Sequence, residues 1–201
     1  MSDPVVHLID DDEPVRNALS FVLEMNDLPA RAYASGEAFL EIAGSLRGGC
    51  VVTDIRMPGM SGLDLVKRMQ ERGIGLPVVV ITGHGDVPLA VEAMRAGVID
   101  FLEKPFDDEA LLASIRMALS TQARADQQAL ERQRFEQMLL TLSAREREVL
   151  RGVIAGKMNK VIAYELGIST RTVEVYRANV MSKTQAQGLS ELVRIALIAG
   201  F

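Results

Sequence analysis

The sequence has only one cysteine, no long hydrophobic run, and no internal repeat or low-complexity segment. Its one cysteine, Cys50, cannot form an internal disulfide, which is typical of proteins in a reducing cytoplasm. No apolar run reaches the roughly 18 residues that span a bilayer, and residues 1–4 lack the start of a secretory signal. These absences exclude a disulfide-stabilised scaffold and a membrane-spanning protein, and they predict a cytoplasmic protein with no membrane partner.

The charged residues divide the chain into an acidic and a basic part. Residues 1–120 contain 10 Lys/Arg and 19 Asp/Glu, residues 121–140 contain 3 of each, and residues 141–201 contain 9 and 5. A net charge of −9 beside one of +4 predicts two domains, of which the basic one suits an anionic partner such as nucleic acid. We therefore predict one domain over 1–120, a helical linker over 121–140 and a second domain over 141–201.

Short apolar runs alternate with helical patterns in the first part. Helix-start signals follow several of these runs, such as Pro14 in a first helical turn and Asp86 as a helix cap. Strands that alternate with helices of about 10–15 residues predict an α/β doubly wound fold with a five-stranded parallel sheet. The predicted strands are 5–9, 28–33, 50–54, 78–81 and 98–102.

Polar side chains follow four of these strands at the point where each strand ends. Asp10 and Asp11 follow the first strand, Asp54 ends the third, Thr82 follows the fourth and Lys104 follows the fifth. Because the carboxyl ends of parallel strands share one edge of a sheet, we expect these five side chains to lie together. Each one alone has an ordinary interpretation as a surface or capping residue, so the prediction depends on their combination.

This combination predicts phosphoryl transfer to a carboxylate. Three crowded carboxylates raise one another's pKa unless a cation joins them, and Mg²⁺ or Mn²⁺ suits oxygen ligands. Phosphoryl transfer requires positioning and charge neutralisation more than acid–base catalysis. We predict Asp54 as the nucleophile and Asp11 as a metal ligand, with Asp10 acting directly or through water. Lys104 and Thr82 would contact oxygens of the transferred group.

The region after the fifth strand is predicted to be helical. A helix begins near Asp107, and no Gly or Pro occurs from 106 to 151. Residues 120–138 are rich in Gln, Arg, Glu and Ala, and apolar residues at helical spacing are scarce after Leu119. Two interpretations of the segment therefore stay open, a coiled coil and a solvated linker helix.

The last 60 residues predict four short helices. Ser143 and Glu146 form a capping-box pattern, and Gly156 ends the helix that this box begins. Helices over 159–166 and 170–183, joined by a short turn that contains glycine, are typical of a helix-turn-helix.

The helix over 170–183 has the composition of a DNA-recognition helix. Val173, Tyr176 and Val180 form a core-facing stripe, which leaves basic, small apolar and acidic side chains for other faces. Basic groups suit phosphates and guanine, small apolar groups suit thymine methyls, and a carboxylate suits cytosine. A solvated basic face is the alternative. The predicted DNA contacts are Lys160, Thr170, Arg171, Thr172, Glu174, Val175, Arg177, Ala178 and Lys183.

These motifs resemble those of a two-component response regulator over nearly the whole chain. Residues 1–120 resemble a CheY-like receiver domain, with an Asp cluster after strand one, Asp-x-x-Met-Pro-x-Met-x-Gly from Asp54, a Thr after strand four and Lys-Pro after strand five. The segment ITGHGDVPLAVEAM at 81–94 resembles the FixJ-like subfamily, and RTVEVYRANVM at 171–181 resembles a LuxR-type DNA-binding domain.

The resemblance implies further roles. A sensor histidine kinase would phosphorylate Asp54 with Mg²⁺ bound, the backbone carbonyl of Arg56 would be a further metal ligand, and the Lys104–Pro105 bond would be cis. On phosphorylation Thr82 would move inward and Phe101 would turn into the vacated space, unless this ring is permanently packed. A second subunit would then pair with the fourth helix and fifth strand. The predicted dimer-face residues are Val91, Arg95 and Asp100.

A few residues fall outside this pattern. Asp12 is predicted to be solvated, with an outer-shell metal role as the alternative, and His7 to lie in the core. His84 is predicted to be a loop residue, with a phosphodonor or base role as the alternative. Thr184 stands where the family usually has an apolar residue, so we expect a difference in the local packing and none in the fold.

We therefore predict a transcription regulator that is phosphorylated on Asp54, dimerises and binds promoter DNA to act with RNA polymerase. Before phosphorylation, the receiver would either mask the DNA-binding domain or fail to dimerise. One rival is an enzyme-like phosphate sink that hydrolyses its own acyl phosphate and carries a vestigial DNA domain. The other is a DNA-binding protein that works without phosphorylation, which a degraded acidic site would favour.

Overall fold

The computed structural model describes residues 4–46, 48–83 and 87–201, with only the backbone of Val87. The predictions for His84 and Asp86 lie outside these residues. The chain divides into two compact units, Met1–Asp126 and Gln127–Phe201. None of the helices in the described ranges is long and apolar enough to cross a membrane.

The first unit contains a parallel five-stranded sheet in the order β2-β1-β3-β4-β5, which confirms the predicted fold. Its strands are β1 (Val6–Ile9), β2 (Ala30–Tyr33), β3 (Cys50–Asp54), β4 (Val78–Thr82) and β5 (Asp100–Glu103). Every residue of β1, β3 and β4 is buried, because helices cover both faces of a parallel sheet. The helices between the strands are α1 (Glu13–Glu24), α2 (Gly36–Ala43), α3 (Gly62–Glu71) and α4 (Val87–Arg95).

Two apolar layers hold the sheet in place. On one face Phe39 and Leu65, from α2 and α3, belong to the same buried cluster as Val51 and Val80 of the sheet. On the other face Leu23 of α1 and Ile115 belong to a cluster with Val52, Val79 and other strand residues. Successive residues of a strand point to opposite faces, so one strand supplies both layers.

Strand β5 begins two residues later than predicted. The Val98 N–H bonds to the carbonyl of Ala93 and closes the end of α4, so Val98 is buried as part of that turn. Pairing with β4 starts at Ile99, whose N–H donates to the Val78 carbonyl at 2.7 Å. The Lys104–Pro105 bond that follows is cis, as the family resemblance implied.

Helix α5 (Asp108–Leu140) is continuous and much longer than the other helices. From Ala123 to Leu130 every residue is exposed, as expected of a solvated linker helix. Phe135 and Leu139, in its last two turns, belong instead to the apolar core of the second unit. The structure therefore groups residues 127–140 with the helices that follow.

The second unit contains the predicted short helices, α6 (Ala144–Ile154), α7 (Asn159–Leu166), α8 (Thr170–Thr184) and α9 (Leu189–Ile198). The capping box of Ser143 and Glu146 is present at the start of α6. Gly152 lets α6 approach α7, since a Cβ at this position would lie 2.7 Å from Ile162 Cγ1. Thr184 is buried, and its hydroxyl donates to the Val180 carbonyl at 2.8 Å, so a polar residue packs there without an unpaired group.

Candidate functional site

Asp54 lies at the carboxyl end of the central strand β3, and its side chain is nearly buried. The start of α3 packs against this strand end so closely that a Cβ on Gly62 would lie 2.2 Å from the Asp54 carbonyl oxygen. The Gly62 N–H donates to the Ile55 carbonyl at 2.9 Å. This close packing fixes the backbone that carries the Asp54 carboxylate.

Lys104 joins two of the predicted carboxylates. Its ammonium donates to Asp54 Oδ1 at 2.8 Å and to Asp10 Oδ2 at 3.1 Å. The other Asp54 oxygen accepts the Arg56 N–H at 2.6 Å, and the other Asp10 oxygen accepts the Asp12 N–H at 2.9 Å. Both oxygens of each carboxylate therefore have a hydrogen-bond donor.

The charge of Lys104 is retained despite its partial burial. Burial alone lowers the pKa of an ammonium group. Here the hydrogen bonds and negative charges of Asp54 and Asp10 outweigh burial and raise the pKa of Lys104 above its usual value. A fixed positive charge is thus placed where a phosphoryl group on Asp54 would bring negative oxygens.

Thr82 lies beside this group of residues. Ile81 is paired with Asp54 across β3 and β4, and Thr82 follows it, fully buried. The Thr82 carbonyl accepts the Lys104 N–H at 2.7 Å. Phe101, opposite Val80 on β5, is partly buried against the core. The structure therefore brings Asp10, Asp54, Thr82 and Lys104 together at one edge of the sheet, with Phe101 on the adjoining strand.

Asp11 is exposed in a groove next to Asp54. The groove has a volume of about 630 Å³, and its lining includes Asp11, Ile55, Arg56 and Leu89. Among the described residues, no three His, Cys, Asp or Glu side chains form a ready-made metal cluster. The residues still fit Mg²⁺, because this ion commonly uses one or two carboxylates and keeps several waters. Lys104 supplies one of the cations that the crowded carboxylates require.

Three nearby residues have structural roles. Asp12 is the N-cap of α1 and accepts the Val15 N–H at 3.4 Å. Arg16 donates to the Asp10 carbonyl at 2.7 Å and so braces the turn that carries the aspartates, a contact that no sequence pattern indicated. His7 is buried, with Nδ1 3.1 Å from the Tyr33 hydroxyl, and burial followed by the charge of Arg31 lowers its pKa to about 4.

The predicted dimer-face residues differ in their surroundings. Val91 and Arg95 are exposed on α4. Asp100 is half-buried, and its two carboxylate oxygens accept the Phe101 N–H at 2.8 Å and the Ser114 hydroxyl at 2.5 Å. Asp100 thus links β5 to α5 within one chain.

The predicted DNA contacts lie on α7 and α8 of the second unit. Val173 and Val180 are buried in the core and Tyr176 is partly buried, as the predicted stripe required. Thr172 is half-buried, and its hydroxyl bonds to that of Ser169, the N-cap of α8, at 2.7 Å. The exposed members of the predicted set are Lys160, Thr170, Arg171, Glu174, Val175, Ala178 and Lys183.

Two basic residues of this set already have side-chain partners. The Lys183 ammonium donates to Glu146 Oε2 at 2.7 Å and to the Thr141 carbonyl at 3.4 Å. Arg177 Nη1 donates to Asn159 Oδ1 at 2.5 Å. Sequence reasoning missed Asn159, because no local pattern connects two residues that lie 18 positions apart on different helices.

Known proteins resemble both units. Residues 6–116 match the response regulator receiver domain family, and residues 140–196 match the family described as bacterial regulatory proteins, luxR family. The transcriptional regulatory protein FixJ of Azorhizobium caulinodans is 54% identical over 97% of this chain and 92% of its own length. FixJ of Rhizobium meliloti is 50% identical over 100% of this chain and 98% of its own.

Solved structures agree with this assignment. The response regulator StyR has a TM-score of 0.85 at 40% identity, covering 98% of this chain and 99% of its own. Full-length FixJ from B. japonicum has a TM-score of 0.62 at 47% identity, covering 100% of this chain and 98% of its own. Receiver domains generally bind Mg²⁺ at the phosphorylation site. The chain therefore belongs to the FixJ-like response regulators, transcription regulators that join a receiver domain to a LuxR-type DNA-binding domain.

Proposed function

We propose that Asp54 is the residue that accepts the phosphoryl group from a sensor histidine kinase. The observation that carries this proposal is the nearly buried Asp54 carboxylate held by the Lys104 ammonium at 2.8 Å. In the transfer, the P–N bond of the kinase phosphohistidine breaks as a P–O bond to an Asp54 oxygen forms. Lys104 neutralises charge on the phosphoryl oxygens, and the Thr82 hydroxyl binds one of them.

Asp54, Asp11 and Asp10, with the Arg56 carbonyl, would hold the Mg²⁺ that receiver domains use. When bound, this ion supplies charge neutralisation at the phosphoryl oxygens. The exposed Asp11 and the adjoining groove leave room for the coordinated waters. Self-phosphorylation and loss of the phosphate in water would be slow side reactions of the same site.

The regulatory output would be dimerisation. Movement of Thr82 toward the phosphate would let the partly buried Phe101 ring turn inward, and α4 and β5 would then pair with a second subunit through Val91, Arg95 and Asp100. The effect requires that phosphorylation favour the switched state by a few kcal/mol. Two DNA-binding domains on half-sites about one helical turn apart would bind promoter DNA far more tightly than one. Such a dimer would act with RNA polymerase, as an activator of transcription.

The test combines a small-molecule phosphodonor with Mg²⁺ and follows intact mass, oligomeric state and promoter-DNA affinity, with Asp54→Asn in parallel. We expect the mass of one phosphate, a dimer and tighter DNA binding, all absent in Asp54→Asn. Phosphate without dimerisation would refute the coupling and leave the site intact. No phosphate would favour DNA binding that is independent of phosphorylation. Phosphate turnover without any DNA binding in a gel-shift titration would favour the phosphate sink.

A further inference from the structure

The guanidinium of Arg177 is held by an amide from the neighbouring helix. Arg177 lies in the middle of α8 and is half-buried, and its Nη1 donates to Oδ1 of Asn159, the first residue of α7, at 2.5 Å. Arg171, in the first turn of the same helix, is exposed and has no hydrogen bond or ion pair to any residue in the described part of the chain. The two arginines of α8 are therefore in different situations.

Helical geometry separates these arginines further. Arg171, Glu174, Val175 and Ala178 are all exposed, and their spacing of i, i+3, i+4 and i+7 places them on one stripe of α8. At about 100° per residue, Arg177 points roughly 110° away from the centre of that stripe, on the side that faces α7. A side chain in this position cannot enter the groove together with the stripe.

The chemistry of the two contacts suits a phosphate. An arginine has five N–H donors in a planar fork, so the bond to Asn159 leaves four for another acceptor. The amide of Asn159 is neutral and leaves the charge of Arg177 uncompensated. By contrast, Lys183 is paired with the carboxylate of Glu146. Arg177 is therefore an oriented cation beside the proposed DNA-contacting stripe, with no carboxylate partner in the described part of the chain.

We propose that Asn159 positions Arg177 to bind one phosphate of the DNA backbone, while Arg171, Glu174, Val175 and Ala178 contact the base edges. This inference rests on the proposed DNA binding by α8. Phosphate contacts fix the register of a protein on DNA, and base contacts supply sequence specificity. Arg177 and Asn159 would then set affinity and register without changing sequence preference.

Salt dependence separates charge from positioning. Each phosphate contact by a cation adds about 0.9 to the slope of log affinity against log salt on duplex DNA. Arg177→Ala should weaken binding about tenfold and lower the slope by about 0.9 for each bound subunit. Asn159→Ala keeps the charge and should weaken binding with the slope unchanged. Asn159→Asp places a carboxylate against the guanidinium of Arg177, which balances its charge, and should lower both the affinity and the slope.

The experiment uses the full-length protein treated with phosphodonor and Mg²⁺. Fluorescence anisotropy measures its affinity, between 50 and 200 mM salt, for two fluorescent duplexes: one selected from a randomised pool by the wild-type protein and one of random sequence. We expect each variant to weaken binding to both duplexes by the same factor, so that their affinity ratio is unchanged. Asn17→Ala, on an exposed position of α1, is the matched control, and Arg177→Lys separates loss of the fork from loss of charge.

Several outcomes would overturn the inference. They are a changed preference at one base pair in Arg177→Ala, a slope in Asn159→Asp equal to that of the wild type, or wild-type affinity in Asn159→Ala. A folding defect in a variant would appear as a lowered melting temperature. If Arg177→Lys melts at the wild-type temperature, its affinity and salt slope still test the role of Arg177. If the wild type selects no duplex and binds none, the proposed DNA binding itself has failed, which this design distinguishes.

Discussion

At the scale of single residues, the partner of each cation decides whether its charge is available to a ligand. Lys104 lies between Asp54 and Asp10, so its charge balances the site where a phosphoryl group would be bound. Lys183 is paired with the buried Glu146, so its charge is already balanced inside the second unit. Arg177 is held by the neutral Asn159, which does not balance its charge. Amino-acid composition alone does not distinguish these three basic residues.

Replacement of His7 by phenylalanine should reduce the pH dependence of receiver stability. Burial lowers the pKa of His7 to about 4, against an ordinary value of 6.5, so the unfolded chain binds a proton between these values and the folded chain does not. Stability is therefore lost as pH falls from 6.5 to 4, by about 3 kcal/mol, and His7→Phe should remove this loss. Urea unfolding of residues 1–126 from pH 4 to 7 measures the effect.

Tyr33→Phe is the matched control for this prediction. It removes the hydroxyl that lies 3.1 Å from His7 Nδ1 but keeps the imidazole, so its pH dependence should follow that of the wild type. Parallel stability curves for wild type and His7→Phe would show that His7 is not the titrating group.

Glu146→Gln should destabilise the second unit at pH 7 but not in acid. The hydrogen bond from Lys183 and the backbone N–H of Ser143 lower the pKa of Glu146 below its ordinary value of 4.5. A lowered folded pKa gives stability that is present above pH 4.5 and is lost as pH falls through the folded pKa. We expect a loss of about 1–3 kcal/mol at pH 7 that shrinks toward zero in acid, measured by urea unfolding of residues 127–201.

Glu148→Gln provides the comparison for Glu146→Gln. Glu148 pairs with Arg145 in an exposed ion pair three residues apart, and such pairs contribute little. A loss for Glu146→Gln that is independent of pH would mean that packing, rather than the charge, holds this position.

At the scale of elements, the turn from β3 to α3 holds the proposed phosphorylation site by close backbone contact. Replacing Gly62 with alanine puts a Cβ 2.2 Å from the Asp54 carbonyl oxygen and 3.0 Å from its carbon, so the strand end must move. We expect a loss of about 1–3 kcal/mol in stability and a slower gain of phosphate mass from a small-molecule phosphodonor. Thermal unfolding and timed mass spectrometry measure the two effects.

Gly44→Ala tests whether the effect belongs to this contact. Gly44 ends α2 with φ −66°, and a Cβ there would meet no atom of the described residues within 4 Å. This variant should keep the wild-type phosphorylation rate and gain a few tenths of a kcal/mol in stability. If Gly62→Ala is phosphorylated at the wild-type rate, the close contact does not position Asp54.

The elements that the sequence predicted well are those with a local cause. Helix α7 was predicted at its exact limits, because Gly167 adopts the left-handed conformation that ends a helix, with φ 65°. The limits of β5 were missed, because Val98 has a strand-like side chain but is used to close α4. In the site, the strand ends correctly predicted that Asp10, Asp54, Thr82 and Lys104 lie together, while Asp11 lines the adjoining groove. The bonds of Asp100 to Ser114 and of Arg177 to Asn159 depend on tertiary packing and had no local signal.

At the scale of the whole molecule, two separate apolar cores correspond to two functions. The receiver has a layer on each face of its sheet, and the DNA-binding unit has one cluster that includes Phe135, Leu139 and Leu142. Composition placed the second boundary at 141, where the basic region begins. The core of the second unit extends further back, because it includes apolar residues within the polar stretch before 141, such as Phe135 and Leu139. We propose that the independent DNA-binding domain begins near 127.

A pair of fragments tests this boundary. Residues 127–201 should unfold cooperatively, whereas residues 141–201 lose Phe135 and Leu139 from the core and expose the residues that these cover. Removal of a buried Phe or Leu side chain costs about 2–5 kcal/mol, which is a large part of the stability of so small a domain. We therefore expect the shorter fragment to be partly unfolded at 25 °C by circular dichroism and to bind DNA weakly.

Point variants in the longer fragment separate packing from chain length. Phe135 is 6% exposed and lies under the Arg194 guanidinium, 5.5 Å from the ring centroid, so Phe135→Ala should cost about 3 kcal/mol or more. Leu130 is on the same helix but 67% exposed, so Leu130→Ala should change stability by less than about 0.5 kcal/mol. Equal stability of the two fragments, or equal effects of the two alanines, would place the boundary at 141. The predicted difference would instead make the last turns of α5 part of the DNA-binding domain, because a helix that supplies core residues cannot separate from that core without unfolding it.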